Sequence, residues 1–269
     1  MKSSYILILL WLTILKSAYS FEYNDGHLHY NEDVWSRLPP KQAINYLTEN
    51  GIQHAIISST PNEGTEKLYA IAPNKIIPFL RPYRVYKDRF LFHSDPTILN
   101  YLKDKIDIGI YKGIGEFHLF KEHKDTEVIR SIMQIAADHE LFISAHSDYE
   151  TIITLLTLQP DVKIIWAHCG MDHPIADIKK TMKQYQNLFC DLSFRYNMFD
   201  DDGKLTTQWN SLLETQSSRF ILGMDTYTLR WWGELADSIL VDREWLIELS
   251  PEAQNNIARE NINNLFKIH

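Results

Sequence analysis

The chain has 269 residues, 27 of them Lys or Arg and 35 Asp or Glu, for a formal net charge of −8. That balance offers no basic field to nucleic-acid phosphates, so no nucleic-acid partner is expected. Two cysteines, Cys169 and Cys190, cannot build the dense framework of a small disulfide-stabilised domain. Two thiols are expected, with a single bridge open to them in an oxidising compartment.

The N-terminal stretch "MKSSYILILLWLTILKSAYS" combines Lys2, an apolar run from Ile6 to Leu15, and small residues Ala18 and Ser20 spaced as a cleavage site requires. It reads as a secretory signal peptide over residues 1–20, because its apolar core falls short of the roughly 20 residues that span a bilayer. Lys16, directly after that core, keeps an uncleaved anchor as the alternative. The expected product is secreted or periplasmic, free of the membrane after cleavage, and begins at Phe21. Residues 21–269 form one domain of about the length of a (β/α)8 TIM barrel, roughly 250 residues. No repeat, linker or low-complexity segment interrupts it, and the sequence leaves a homo-oligomer open.

Short apolar, β-branched runs then alternate with stretches of helical spacing, the signature of parallel βαβ units. The strands in order are "YNDGHLHY" from Tyr23, "HAIISS" from His54, "IIPFLRPY" from Ile76, "YKGIGEFHL" from Tyr111, "LFISAHSD" from Leu141, "VKIIWAHCG" from Val162, "LFCDLSF" from Leu188 and "RFILGMDTY" from Arg219. Helices between them include "PPKQAINYLTEN" with Pro39 and Pro40 near its start, "DTEVIRSIMQIAADHE" with Asp125 as N-cap, and "PIADIKKTMKQYQ". Eight such units close a barrel, and the chemistry of that architecture sits at the C-terminal ends of its strands.

Polar residues interrupt the apolar strands at that end. His27 and His29 close strand 1, Glu116 strand 4, His146 strand 5, His168 strand 6 and Asp225 strand 8. Two-residue periodicity turns Asp25, His27 and His29 to one face. Taken singly, Glu116 could be a solvated loop residue, His168 a satisfied core histidine and Asp225 a helix N-cap. Together they point to a site, since buried imidazoles and charges must be paired or metal-bound.

The ordered set "DGHLHY", "GIGEFH", "ISAHSD", "IIWAHCG" and "ILGMDTY" resembles the amidohydrolase superfamily of metal-dependent hydrolases, and within it the amidohydrolase-related group. The ending "LSPEAQNNIARENINNLF" resembles that group's closing helix, with Asn261 or Asn264 before Leu265 and Phe266. The resemblance implies that His27 and His29 are a metal pair, that His146 is a further ligand, and that Asp225 both touches metal and moves a proton. Glu116 would bridge two ions, with His168 and His146 on the second; with one ion, His168 would polarise substrate or shuttle a proton. His118 is an extra candidate ligand or substrate contact, with a supporting place behind the ligands as the alternative. The donor set suits Zn²⁺ or a similar divalent cation, one or two per chain, with two favoured.

In the loops, Arg81 and Tyr83, Arg195 and Tyr196, and Trp231 and Trp232 are candidates for binding a small substrate, which the arginines would make anionic. The resulting expectation is a hydrolase that uses metal-activated water on an ester, lactone, amide or phosphoester. The alternatives are a one-metal non-oxidative decarboxylase on the same barrel and a non-catalytic binding protein.

Overall fold

The computed structural model describes residues 22–268, so the expected signal peptide lies outside the described residues. Eight parallel strands pair in sequence order: β1 (Tyr23–Leu28), β2 (Ile52–Ile57), β3 (Ile76–Leu80), β4 (Gly113–Leu119), β5 (Phe142–Ser147), β6 (Ile164–Trp166), β7 (Leu188–Asp191) and β8 (Phe220–Ile221). The helices that follow them are α1 (Pro40–Glu49), α2 (Glu63–Ile71), α3 (Thr97–Ile106), α4 (Glu127–Asp138), α5 (Tyr149–Leu158), α6 (Ile175–Gln184), α7 (Thr207–Thr215) and α8 (Leu229–Leu246). The architecture is the expected (β/α)8 barrel. Among the described residues no helix is long and apolar enough to cross a membrane.

β8 is shorter than its apolar run suggests, because the seam that closes the ring is irregular. Gly26 N donates to Leu222 O at 2.7 Å, Asp225 N to His27 O at 2.7 Å and His29 N to Thr226 O at 3.2 Å. Between them the Asp25 carboxylate replaces a backbone carbonyl, accepting from Met224 N at 3.1 Å and from His27 N at 3.0 Å. The simple alternation expected for Asp25, His27 and His29 therefore does not hold. Register shifts on either side of Asp25 turn it into a seam residue, buried so completely that its pKa rises to about 8.

Strand periodicity separates two apolar layers. Ile56, Ile77, Phe79, Phe142, Ile165, Phe189 and Ile221 form one cluster, while their chain neighbours, such as Ile57, Ile76, Leu80, Ile164 and Leu188, pack in the larger strand–helix layer. The smaller cluster fills the barrel interior, where Leu265 and Phe266 of the C-terminal segment also pack. The Phe266 ring lies 4.7 Å from that of Phe142 and 6.0 Å from that of Phe79. Gly113 makes room for Phe79, since a Cβ there would come within 2.4 Å of the ring.

Helix starts follow local capping chemistry. Thr126, one residue beyond the expected Asp125, caps α4 by accepting from Ile129 N at 3.3 Å, and Asp125 pairs instead with Arg130 at 2.6 Å. Of the two candidate asparagines near the end, Asn261 is the buried one. Its amide donates to Ser217 O at 2.7 Å and Phe220 O at 2.6 Å, which pins the C-terminal segment to the start of β8.

Candidate metal centre

His27, His29, Glu116, His146, His168 and Asp225 converge at the C-terminal ends of the strands. Glu116 stands in the middle. Its Oε2 lies 3.1 Å from His29 Nε2 and 3.5 Å from His27 Nε2, while its Oε1 lies 3.1 Å from His146 Nδ1 and 3.8 Å from His168 Nε2. Asp225 Oδ1 faces the first pair, 3.1 Å from His29 Nε2 and 3.5 Å from His27 Nε2, and its Oδ2 is 3.9 Å from His168 Nε2.

The far side of each ring settles which nitrogen is bare. Nδ1 of His29 lies 2.6 Å from the Ser58 carbonyl, Nδ1 of His168 lies 3.0 Å from the Ser193 carbonyl, and Nδ1 of His27 lies 3.0 Å from Asp191 Oδ2. These oxygens only accept, so each Nδ1 carries a proton, and each ring, when neutral, turns an Nε2 lone pair inward. Lone pairs and carboxylate oxygens thus face one another at hydrogen-bond distance with too few protons between them. That arrangement fits a divalent cation with imidazole and carboxylate ligands. Two groupings around Glu116, His27 with His168 and His118 with His146, and a third of His27, His29 and Asp225, have donor atoms close enough to hold an ion.

The electrostatics agree. Burial works against a charged His27, yet Asp225, Asp191 and Glu116 together hold its pKa well above the usual imidazole range. Burial also opposes ionisation of Glu116, but His118, His27 and His146 hold it well below the usual carboxylate range. His168 is shifted down, chiefly by burial, and burial drives His118 down to about 2. The carboxylates therefore demand positive charge, either a proton on His27 or a cation in its place.

The backbone is bent to present these groups. Gly115 has φ +126° and a Cβ there would meet the Ser144 carbonyl at 2.0 Å, so only glycine lets β4 deliver Glu116. His168, Phe194 and Asp225 take φ of 56°, 52° and 44°, a conformation that costs side-chain-bearing residues of order 1–3 kcal/mol each. The left turn at His168 is also why β6 ends at Trp166. Asp225 caps no helix; α8 starts after Thr228.

Asp191, in β7, is a functional candidate that sequence reasoning passed over. Besides His27 it accepts from His168 N at 3.1 Å and from Ser193 N at 2.8 Å and the Ser193 hydroxyl. Burial opposes its ionisation, but His27 keeps its pKa below the usual range. The signal was a carboxylate inside an apolar strand, "LFCDL". Trp232 acts similarly on the other side, its Nε1 donating to His29 O at 2.9 Å.

A cavity of about 980 Å³ opens over the cluster. Of the residues expected to bind substrate, Arg81 reaches it, but with its guanidinium engaged: Nε donates to Glu116 O at 2.8 Å and Nη2 to Glu116 Oε2 at 3.0 Å. Arg195 is not brought to the lining. It donates to Cys169 O at 2.8 Å and His173 O at 2.5 Å and is buried over Trp209. Trp231 stands behind the wall, 4.9 Å from Phe194 and 6.1 Å from Tyr227, both of which line the cavity. Tyr83 and Tyr196 line it too, as does Arg89, which the sequence did not single out.

The expectation of two thiols is corrected. Cys169 and Cys190 form a disulfide, for the parallel pairing of β6 with β7 sets Cys190 opposite Trp166 and the turn through His168 brings Cys169 back beside it.

An eight-stranded parallel barrel with a polar, cation-seeking cluster at its strand ends defines a class of TIM-barrel enzyme. Within that class the chain belongs to the amidohydrolase family, whose model matches residues 108–268, more than half of its length. It is an enzyme of the amidohydrolase superfamily, a generally metal-dependent group. No curated protein matches it significantly. Among solved structures it is similar to a probable 2-pyrone-4,6-dicarboxylic acid hydrolase from Acinetobacter baumannii with citric acid bound, at TM-score 0.61 and 14% identity over 92% of this chain and 100% of that one. It is also similar to a Burkholderia multivorans amidohydrolase with bound HEPES (TM-score 0.57, 11% identity, 93% and 100% covered). A third is a TatD homologue of Escherichia coli K12 (TM-score 0.60, 13% identity, 91% and 97% covered). At such identities the likeness is one of fold.

Proposed function

We propose that the protein is a secreted or periplasmic hydrolase that cleaves an ester, lactone, amide or phosphoester bond of a small anionic molecule, with two divalent cations, Zn²⁺ foremost, in the cluster around Glu116. The observation that carries this reading is the division of Glu116, one oxygen toward His27 and His29 and the other toward His146 and His168. A carboxylate so divided suits a bridge between two ions, whereas in a one-metal decarboxylase the second pair of imidazoles would have to act on substrate or move protons instead.

Cations held there would supply Lewis acidity and lower the pKa of a water molecule from 15.7 toward roughly 7. The chain's own groups do the rest. Asp225 accepts the water's proton at a carboxylate oxygen and returns it to the leaving group. Asp191 keeps the His27 ring oriented, and the Ser193 carbonyl does so for His168. Tyr83, Phe194, Tyr196 and Tyr227 wall the cavity with aromatic surface.

Of three arginines on its β3–α3 side, one, Arg89, is left to support an anionic substrate. Arg81 is tied to Glu116, and Arg84 is neutralised by Asp88 at 2.9 Å and Asp95 at 2.7 Å. Arg89 has no carboxylate partner among the described residues; it meets the Tyr86 hydroxyl at 3.4 Å and lies 5.9 Å from the centre of the Phe90 ring. The citric acid bound by the A. baumannii structure supports the same reading. Glu32, Asp33 and Asp172 elsewhere on the lining would bias an anion toward that cationic side. The disulfide accords with an oxidising compartment.

Elemental analysis of the purified chain tests the proposal. Two ions per chain in the parent, falling toward one in Glu116→Gln, is the expected result, because an amide bridges poorly. Unchanged stoichiometry in Glu116→Gln removes the bridge, and a parent with one ion and carbon dioxide release from aromatic acids returns the decarboxylase.

A further inference from the structure

The disulfide joins two immediate neighbours of site residues: Cys169 follows His168, and Cys190 precedes Asp191. From His168 to Met171 every residue has positive φ, 56°, 47°, 75° and 52°, and only one of the four is glycine. A chain does not hold such a left-handed run unaided. Apart from the His168 Nε2 side, which faces His146, Glu116 and Asp225, its ties lead to β7 and the turn after it. His168 N donates to Asp191, the His168 ring faces Ser193 O, and Arg195 donates to the carbonyls of Cys169 and His173. The disulfide is the covalent member of this set, and both cysteines are fully buried.

We propose that the Cys169–Cys190 bridge is a positioning element of the metal centre. It clamps the left-handed segment to β7 so that His168 stays beside Asp191 with Nε2 aimed at Glu116 and Asp225, and opening it weakens cation binding on the His146–His168 side of Glu116. The inference rests on the metal reading above. It also gives the buried Arg195 a place, as the non-covalent counterpart of the bridge.

The test compares the parent, Cys169→Ala/Cys190→Ala and His168→Ala, each loaded with Zn²⁺ alone, then titrated with a chromophoric chelator and melted. The double variant should release its less tightly held Zn²⁺ at a free-ion level at least tenfold above that of the parent, with the same circular dichroism, and His168→Ala should lose the same ion. A bridge that serves stability alone would lower Tm and leave Zn²⁺ release unchanged, which overturns the proposal. Parent-like binding in His168→Ala shows instead that the metal reading of His168 fails, and the proposal falls with it. Should the double variant not fold, Cys169→Ala alone opens the bridge while Cys190 still fills its space, and the same two results decide.

Discussion

Asp191 Oδ2 lies 3.0 Å from Nδ1 of His27, and through that contact β7 sets the direction of an imidazole on β1, across the intervening β8. The same oxygen receives His168 N at 3.1 Å. One carboxylate therefore orients the His27 ring, fixes its tautomer, and holds the backbone of His168. Asp191→Asn keeps the shape but loses the charge that favours a protonated Nδ1. We expect metal affinity to fall by about 10–100-fold, the usual effect of removing a partner behind a ligand. Competition with a chelator measures it, and an unchanged affinity would rule out the orienting role.

Asp225 is held with φ 44° so that its carboxylate faces His27 and His29. Asp225→Asn preserves size and a carbonyl oxygen while removing the base. Turnover on an identified substrate should drop by roughly 10² to 10⁴, the worth of a positioned general base, with Tm nearly unmoved. Near-normal kcat with metal still bound would assign the proton to another group.

Arg89 is the cavity cation without a carboxylate partner among the described residues. Arg89→Ala should raise KM for an anionic substrate about tenfold, the equivalent of about 1.4 kcal/mol, and leave kcat alone. A neutral analogue should bind both forms equally; equal loss for the neutral analogue would make Arg89 a packing residue.

Asn261 bridges two carbonyls at the start of β8. Asn261→Ala strands both acceptors, so unfolding free energy should fall by roughly 2 kcal/mol or more, or about 4–8 °C in Tm. Asn264→Ala, at an exposed position, should change stability by no more than about 0.5 kcal/mol. Equal effects in the two variants would show that the buried amide is not the anchor.

The barrel and most of the cluster were legible because a parallel strand buried on both faces leaves little room for polar residues except at its ends. His27, His29, Glu116, His146, His168 and Asp225 stood out against apolar runs for that reason. Asp191 did not, since its role depends on a ring from β1 that comes near only when the barrel closes. Arg195 and Arg89 were indistinguishable as letters. Arg195 meets carbonyls because the left-handed segment after β6 brings them to it, Arg89 faces the cavity from the loop after β3, and no periodicity encodes either turn. The pairing of Cys169 with Cys190 was hidden for the same reason, as was the insertion of Asp25 into the seam, which replaces strand alternation with a side-chain acceptor.

The residues that plug the barrel, Ile262, Leu265 and Phe266, are near the end of the described chain, and its first strand waits for Met224 and Asp225 to complete the seam. Neither the interior nor the ring can be finished before Met224, Asp225 and this C-terminal segment have joined. Long-range closure of this kind makes folding late and slow.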